Sequence, residues 1–388
     1  MEIGKIKINN KYQSINDDII LFDNLFLDNF SKLSVLTILS GYGQSNNIIL
    51  NDKFSAALNI KKLNSFVSYI LNHRIAPTKF NIKIRQAEKK EPATKDIADY
   101  TYLKKVGAVL SFSGGLDSTA GMLYALEHKI NVLPLWIDFG QRNNTAERQA
   151  AEKVCRKIDI KLLILKINLK QDIINGWKYW DFIIPGRNFL FLSLANSILK
   201  FSQQPKHRIY LCAHKDEMGF RKNKDKSQYF FDKASLFFSQ DAGKKIVALS
   251  PFAKYSKSEI ISYWRRNWEP KYKISPFDTT TCYYNNGCGK CDACLKRAIY
   301  LLAGGYSSVG KVNVNPLTDP AKLIKNSWIP RIKSGKIARN NKLDFIIAVE
   351  KSMTIVPKYV RQFYSSLSPN TLKAVNRRKL EIEKLEIK

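Results

Sequence analysis

The stretch Leu110-Ser-Phe-Ser-Gly-Gly-Leu-Asp-Ser-Thr119 decides how the rest of this sequence is read. It grows out of a short apolar run rich in β-formers, Val106 to Phe112, and leads into a helical stretch that runs to His128. A strand that delivers a Gly-rich turn to a helix start presents unpaired backbone N–H groups. It also sets the positive end of the helix, about half a charge, beside any bound anion. Gly114 and Gly115 let the backbone approach a phosphate with no Cβ in the way. Ser113 and Ser118 add hydroxyl donors, whereas Asp117 repels phosphate and is expected to reach a Mg²⁺ or to orient the turn. The stretch lacks the Gly-Lys-Ser/Thr ending of the nucleoside-triphosphatase loop and the Gly-x-Gly-x-x-Gly spacing of dinucleotide sites.

Outward from this turn, strand and helix alternate. Strands are expected at Asn131 to Ile137, Lys161 to Ile167 and Arg208 to Ala213. Helices are expected at Thr145 to Ile158, Asn188 to Lys200 and Lys257 to Trp268. Such alternation implies βαβ crossovers, hence an α/β fold with a doubly wound parallel sheet covered on both faces. The chain divides into an N-terminal α+β extension (residues 1–104), the α/β region (105–304) and a basic, mostly helical C-terminal segment (305–388). The first part mixes strand-like alternation (Ile6 to Tyr12, Phe80 to Arg85) with a helical stretch from Ala57 to Leu71. It ends in a polar linker, Lys89 to Asp99, and carries no catalytic pattern. The last part ends in a helical stretch from Asn370 to Lys388.

Cys282, Cys288, Cys291 and Cys294 stand in the pattern C-x5-C-x2-C-x2-C, with Gly287 and Gly289 to bend the chain. Four thiolates so close together suit a closed, structural Zn²⁺ site. An iron–sulfur cluster draws on the same ligands, and a redox Cys-x-x-Cys would use only two of the four. Cys155 and Cys212 fall in helix and strand patterns and read as core residues.

Ser-Gly-Gly-x-Asp-Ser resembles the pyrophosphatase loop (PP-loop) of ATP-dependent adenylyl-transferring enzymes, a HUP-like fold. With it come Asp138-Phe-Gly-Gln-Arg142, Pro185-Gly-Arg-Asn188, Lys257-Ser-Glu-Ile260 and Cys288-Gly-Lys-Cys-Asp-Ala-Cys-Leu-Lys-Arg297. Together the five elements resemble the 7-cyano-7-deazaguanine synthase (QueC) family over about half the chain, with the zinc knuckle at 282–297. The resemblance implies ATP and Mg²⁺ as cofactors beside Zn²⁺. It implies activation of a carboxylate as its adenylate with pyrophosphate release, then attack by ammonia and a second activation that yields a nitrile. Ser113, Asp117, Ser118 and Lys257 are then candidate catalytic groups. Phe112, Ser113, Gly114, Gly115, Leu116, Asp117, Ser118, Thr119, Asp138, Gln141, Arg187 and Asn188 are candidate nucleotide contacts. Asn188 is equally suited to capping its helix. Lys257 opens a helix, an odd place for a cation that a negative ligand such as a phosphate of ATP would explain. Arg297 reads as a solvated helix residue or a family contact.

One family element is missing. After the strand ending at His214 the family carries Tyr-Pro-Asp-Cys-Arg, whereas this chain has Asp216, a basic insert Arg221-Lys-Asn-Lys-Asp-Lys226, and Tyr229-Phe-Phe-Asp232-Lys233. The acceptor is therefore expected to be a deazapurine or a protein. The flanks resemble the divergent QueC-like proteins of multi-gene antiphage defence systems such as the Qat type, with partner proteins of the same operon implied. Queuosine synthesis, tRNA modification and a non-enzymatic scaffold are the alternatives.

Composition bounds these readings. The 388 residues are 45% hydrophobic and 12% aromatic, which excludes global disorder, and six Cys exclude a disulfide-stapled miniprotein. No apolar run reaches the ~20 residues of a bilayer span, so a soluble, cytoplasmic protein with no membrane partner is expected. Lys and Arg number 64 against 33 Asp and Glu, a net +31. From residue 305 onward the count is 17 − 6 = +11 over 84 residues, denser than the chain as a whole. The excess reads either as an A/T-rich codon bias spread over every face or as a footprint for nucleic acid centred on the C-terminal segment.

Overall fold

The computed structural model describes residues 5–8, 11–14, 47–50, 59–71, 81–84, 101–138, 141, 143–166, 186–218, 224–282, 284 and 287–387. The expected linker at Lys89 to Asp99, Arg142, Pro185 and the start of the basic insert lie outside these residues. Among the described residues there are two sheets. The smaller joins β1 (Lys5–Ile8), β2 (Lys11–Ser14), β3 (Asn47–Leu50) and β4 (Asn81–Ile84) in the order β2-β1-β3-β4. The larger joins β5 (Ala108–Ser111), β6 (Val132–Asp138), β7 (Leu163–Lys166), β8 (His207–Tyr210) and β9 (Ile246–Leu249) in the order β7-β6-β5-β8-β9, every pair parallel.

Its strands are buried on both faces, as the alternation of strand and helix requires. Val109, Leu133, Leu135, Ile137 and Ile209 face one core. Across that face lie α1 (Ile60–Leu71), α4 (Arg187–Leu199) and α5 (Gln228–Ala242), the labels α2 and α3 belonging to helices of the other face. Ala108, Leu110, Val132 and Trp136 face the other core, filled by α2 (Leu116–Glu127), α3 (Asn144–Lys157), α6 (Lys257–Tyr263) and α7 (Asp292–Ala303). The alternation read from sequence includes no helix or strand at 228–249, where α5 and β9 complete the sheet. The paired aromatics Phe230, Phe231, Phe237 and Phe238 of α5 are all buried.

Both flanks join these cores. Phe66 of α1 packs 5.5 Å from Phe189 and 5.4 Å from Phe237, ring centre to ring centre. At the other end α8 (Arg339–Glu350), α9 (Lys358–Ser365) and α10 (Pro369–Lys384) bury Phe345, Val360, Val375 and Ile382 in the core shared with α6 and α7. The helix expected from Lys257 to Trp268 is regular only to Tyr263, widens into a π-turn at Trp264–Trp268 and resumes at Glu269–Tyr272. Pro270 sits just beyond the widened turn and cannot donate to the helical ladder. The same device recurs at Ile324–Trp328 before Pro330. Among the described residues no helix is long and apolar enough to cross a membrane.

In an open parallel sheet, ligands bind beyond the carboxyl ends of the strands where the strand order reverses. Here that place lies between β5 and β8, whose following segments begin at Phe112 and Leu211.

Candidate active site

The turn leaves β5 at Phe112, whose N–H donates to Leu135 O at 2.8 Å and ties it to the neighbouring strand. Gly114 takes φ +69, which a residue with a Cβ adopts only with strain. A Cβ at Gly114 would lie 2.5 Å from Ala151 N and 2.9 Å from Glu147 O, so the backbone of α3 by itself demands this glycine. Gly115 is the N-cap of α2 and offers no side-chain acceptor, so no side chain caps the start of this helix. Ser118 Oγ accepts from Ser113 N at 3.3 Å, donates to Gly115 O at 3.2 Å and lies 3.3 Å from Ser113 Oγ, so the two hydroxyls brace the turn. Thr119 is buried within α2.

Asp117 and Lys257, distant in sequence, meet here: Lys257 Nζ lies 2.8 Å from Asp117 Oδ2. The cation at the start of α6 thus has an anionic partner within the chain. Lys257 also stands 5.5 Å from the centre of the Tyr300 ring. Beside it opens a cavity of about 330 Å³, lined among others by His214 and Asp216 after β8, Tyr300 of α7, and Trp328, Arg331 and Asn341 of the C-terminal segment. His214 Nδ1 and Asp216 Oδ2 are buried, 3.6 Å apart, and neither makes a hydrogen bond. The sequence reading singled out none of these cavity residues except His214 and Asp216 as landmarks. Glu217 beside them is pulled down by Lys226 and His214 against the opposing effect of burial.

Behind the turn, Gln141 Nε2 donates to Ile137 O at 3.2 Å and to Glu147 Oε2 at 3.1 Å, and Asn144 Nδ2 donates to Asp138 Oδ1 at 3.4 Å. Glu147, which the sequence reading passed over, is pushed up by burial, an effect that Gln141, Arg187 and Asn143 partly offset. The Nε of Arg187 is buried without a hydrogen bond. Asn188 does not join this group. It is buried, and its Nδ2 donates to Asp225 Oδ2 at 2.9 Å, tying α4 to the end of the basic insert. Nor does Asn188 cap α4, whose N-cap is Gly186.

The four cysteine sulfurs all lie within 4.8 Å of one another. Cys291 and Cys294 approach to 3.5 Å, Cys288 and Cys294 to 3.8 Å. Thiolates about 2.3 Å from a tetrahedral Zn²⁺ stand about 3.8 Å apart, so the donor set fits that ion. Gly289 (φ +73) is obligatory, since a Cβ there would fall 1.8 Å from Val314 O. Cys155 is buried in the core.

Arg297 is not a solvated residue. Burial pushes its guanidinium down to about 10, still charged at neutral pH. It donates to Thr279 Oγ1 (2.9 Å), Thr281 Oγ1 (3.0 Å) and Pro276 O (2.6 Å). Thr280, held between those two threonines, donates its N–H to Gly114 O at 3.0 Å and pairs with Gly115. The cysteine knuckle is thereby latched to the phosphate turn. A charged residue three positions after the last cysteine was the only sequence sign of this.

Comparison with known proteins agrees with this geometry. Residues 107–303 match the model of the family described as Queuosine biosynthesis protein QueC. The chain is 28% identical over 216 residues to the 7-cyano-7-deazaguanine synthase of Staphylococcus haemolyticus, covering 50% of this chain and 92% of that protein. It is 30% identical over 228 residues to the enzyme of the same name from Picrophilus torridus (52% and 90%) and 27% identical over 217 residues to that of Bacillus subtilis (50% and 94%). The phosphate turn, the crevice beyond β5 and β8 and the cysteine knuckle all fall inside the matched region, and the chain belongs to the QueC family.

Proposed function

We propose that this chain is an ATP-dependent ligase that adenylylates a carboxylate and releases pyrophosphate. The observation that carries the reading is the pairing of Lys257 with Asp117 at the uncapped start of α2, in the crevice where open α/β sheets bind ligands. The helix start and Lys257 would stabilise charge building on the departing pyrophosphate. Magnesium, held through Asp117, would supply the usual neutralisation of phosphate charge. The acceptor's carboxylate oxygen attacks the α-phosphorus, the bond to the β-phosphate oxygen breaks, and pyrophosphate leaves. Ammonia or an amine then attacks the adenylate carbonyl, AMP departs, and a proton passes to solvent.

The cavity beside Lys257 is the place for the acceptor, with walls from α7 and the C-terminal segment. A deazapurine carboxylate or a carboxylate of a partner protein fits the family resemblance. Service in an antiphage defence system, rather than in queuosine synthesis, is supported by the flanks: alignments covering nine-tenths of the relatives take in only half of this chain. Incubation with MgATP, ammonia and 7-carboxy-7-deazaguanine should yield AMP and pyrophosphate in equal amounts, and Asp117→Ala should abolish both. No AMP with that acceptor or with proteins encoded by neighbouring genes would refute the ligase reading.

A further inference from the structure

We infer that Arg378, on the last helix and outside the family-matched region, is a positioning residue that holds Lys257 against Asp117. The inference rests on the reading of Lys257 as the cation of the phosphate site. Arg378 is 2% exposed, and each edge of its guanidinium is engaged. Its Nε donates to Asp344 Oδ1 of α8 at 3.0 Å, one terminal nitrogen donates to Glu259 Oε1, and the other donates to Ser256 Oγ. Asp344 Oδ2 in turn accepts from Ser258 Oγ at 2.6 Å.

These contacts fall on Ser256, Ser258 and Glu259, the residues flanking Lys257. Ser256 and Glu259 form the capping box that starts α6, with Ser256 N donating to Glu259 Oε2 at 2.8 Å. A capping box fixes the direction in which a helix begins, and Lys257 is the first residue inside it. The C-terminal segment also steadies the ring next to Lys257, since Tyr300 Oη donates to Asn341 Oδ1 of α8 at 3.2 Å. The groups facing Arg378 are carboxylates and serines from α6, α8 and its own helix, with Glu381 Oε2 at 3.8 Å. A buried guanidinium with this many anionic partners binds two helices in one geometry, and a point-charge lysine cannot reproduce its fork.

The segment beyond residue 303 is thus part of the site, supplying both the clamp on Lys257 and five of the cavity's residues. The test uses the full chain and measures acetylation of each lysine by acetic anhydride, resolved by peptide mass spectrometry. Lys257, paired and 14% exposed, should react slowly in the wild type. Arg378→Lys keeps a buried charge, and Glu259→Gln keeps the capping box while weakening the pair. Each should raise the labelling of Lys257 about tenfold, the effect of losing one charge-assisted bond, with exposed lysines unchanged. Affinity for MgATP should fall by a similar factor in Arg378→Lys, and not fall further when Lys257→Met is already present. Lys257 labelling at the wild-type rate in both variants would overturn the inference. Failure of the wild type to bind MgATP, with the labelling result intact, would sink the phosphate reading and leave the clamp standing.

Discussion

Two glycines of similar positive φ separate what the phosphate turn needs from what any left-handed residue needs. Gly114 has φ +69 and Gly243, which ends α5, has φ +62. An alanine at either position occupies the left-handed region at about 1–2 kcal/mol. At Gly243 nothing lies within 4 Å of the added Cβ, so that term stands alone. At Gly114 the Cβ would sit 2.5 Å from Ala151 N, 2.9 Å from Glu147 O and 3.0 Å from Ala150 C. All three are backbone atoms of one helix and cannot swing aside as a side-chain end would, so overpacking adds about 1–3 kcal/mol. Gly114→Ala should therefore carry about 2–5 kcal/mol of strain against about 1–2 for Gly243→Ala. Relief has two routes. Either the fold loses stability by that amount, visible in urea titration and melting temperature, or the turn shifts off α3 and pyrophosphate release drops about tenfold or more. Finding Gly114→Ala no worse than Gly243→Ala in both assays would show that the turn does not pack on α3 as described.

Other expectations follow from the knuckle and from Asp278. Purified protein should carry close to one zinc per chain, measured by metal analysis. Cys291→Ser or chelation should lower the melting temperature and speed hydrogen exchange at residues 113–119, because Arg297 and Thr280 link the knuckle to that turn. Metal-free protein with an unchanged exchange pattern would contradict this. Burial opposes ionisation of Asp278, yet Lys157, Lys153 and the Ser275 N–H together outweigh it and hold the carboxyl below its ordinary 3.8. A depressed folded value means stabilisation that is present above about pH 4 and fades as pH falls through that lower value. Asp278→Asn should melt below the wild type at pH 7, with the gap closing toward about pH 2; an equal gap at both would refute the assignment.

Much of the site was legible because its signals are local. The phosphate turn and the four cysteines are each written within about a dozen residues, and each strand or helix of the rhythm is local as well, so periodicity places them on the correct elements. What escaped depends on contacts between distant residues. Nothing in Lys257 and Asp117 separately announces an ion pair across 140 positions of sequence. The odd cation at a helix start was a true sign of a negative partner, but sequence could not say that the partner lay in the chain. Arg297 looked solvated because its neighbours on α7, Lys296 and Asp292, are indeed a surface pair at 2.5 Å. That α3 demands a glycine at 114 is not legible in sequence, because that helix lies more than thirty residues away. The C-terminal charge count does not show which cations are paired. Arg378 is buried against Asp344, and Arg377 and Lys379 pair with Glu381 and Glu350.

The central claim is that the turn after β5, with Asp117 and Lys257, handles the phosphates of ATP. Its most direct measurement is conversion of α-labelled ATP to labelled AMP by the full chain with magnesium and acceptor, beside Asp117→Ala and Lys257→Met. The account predicts AMP from the wild type and a loss of at least about a hundredfold in each variant, the scale of removing a group that stabilises transition-state charge. AMP formed by either variant at the wild-type rate would contradict it.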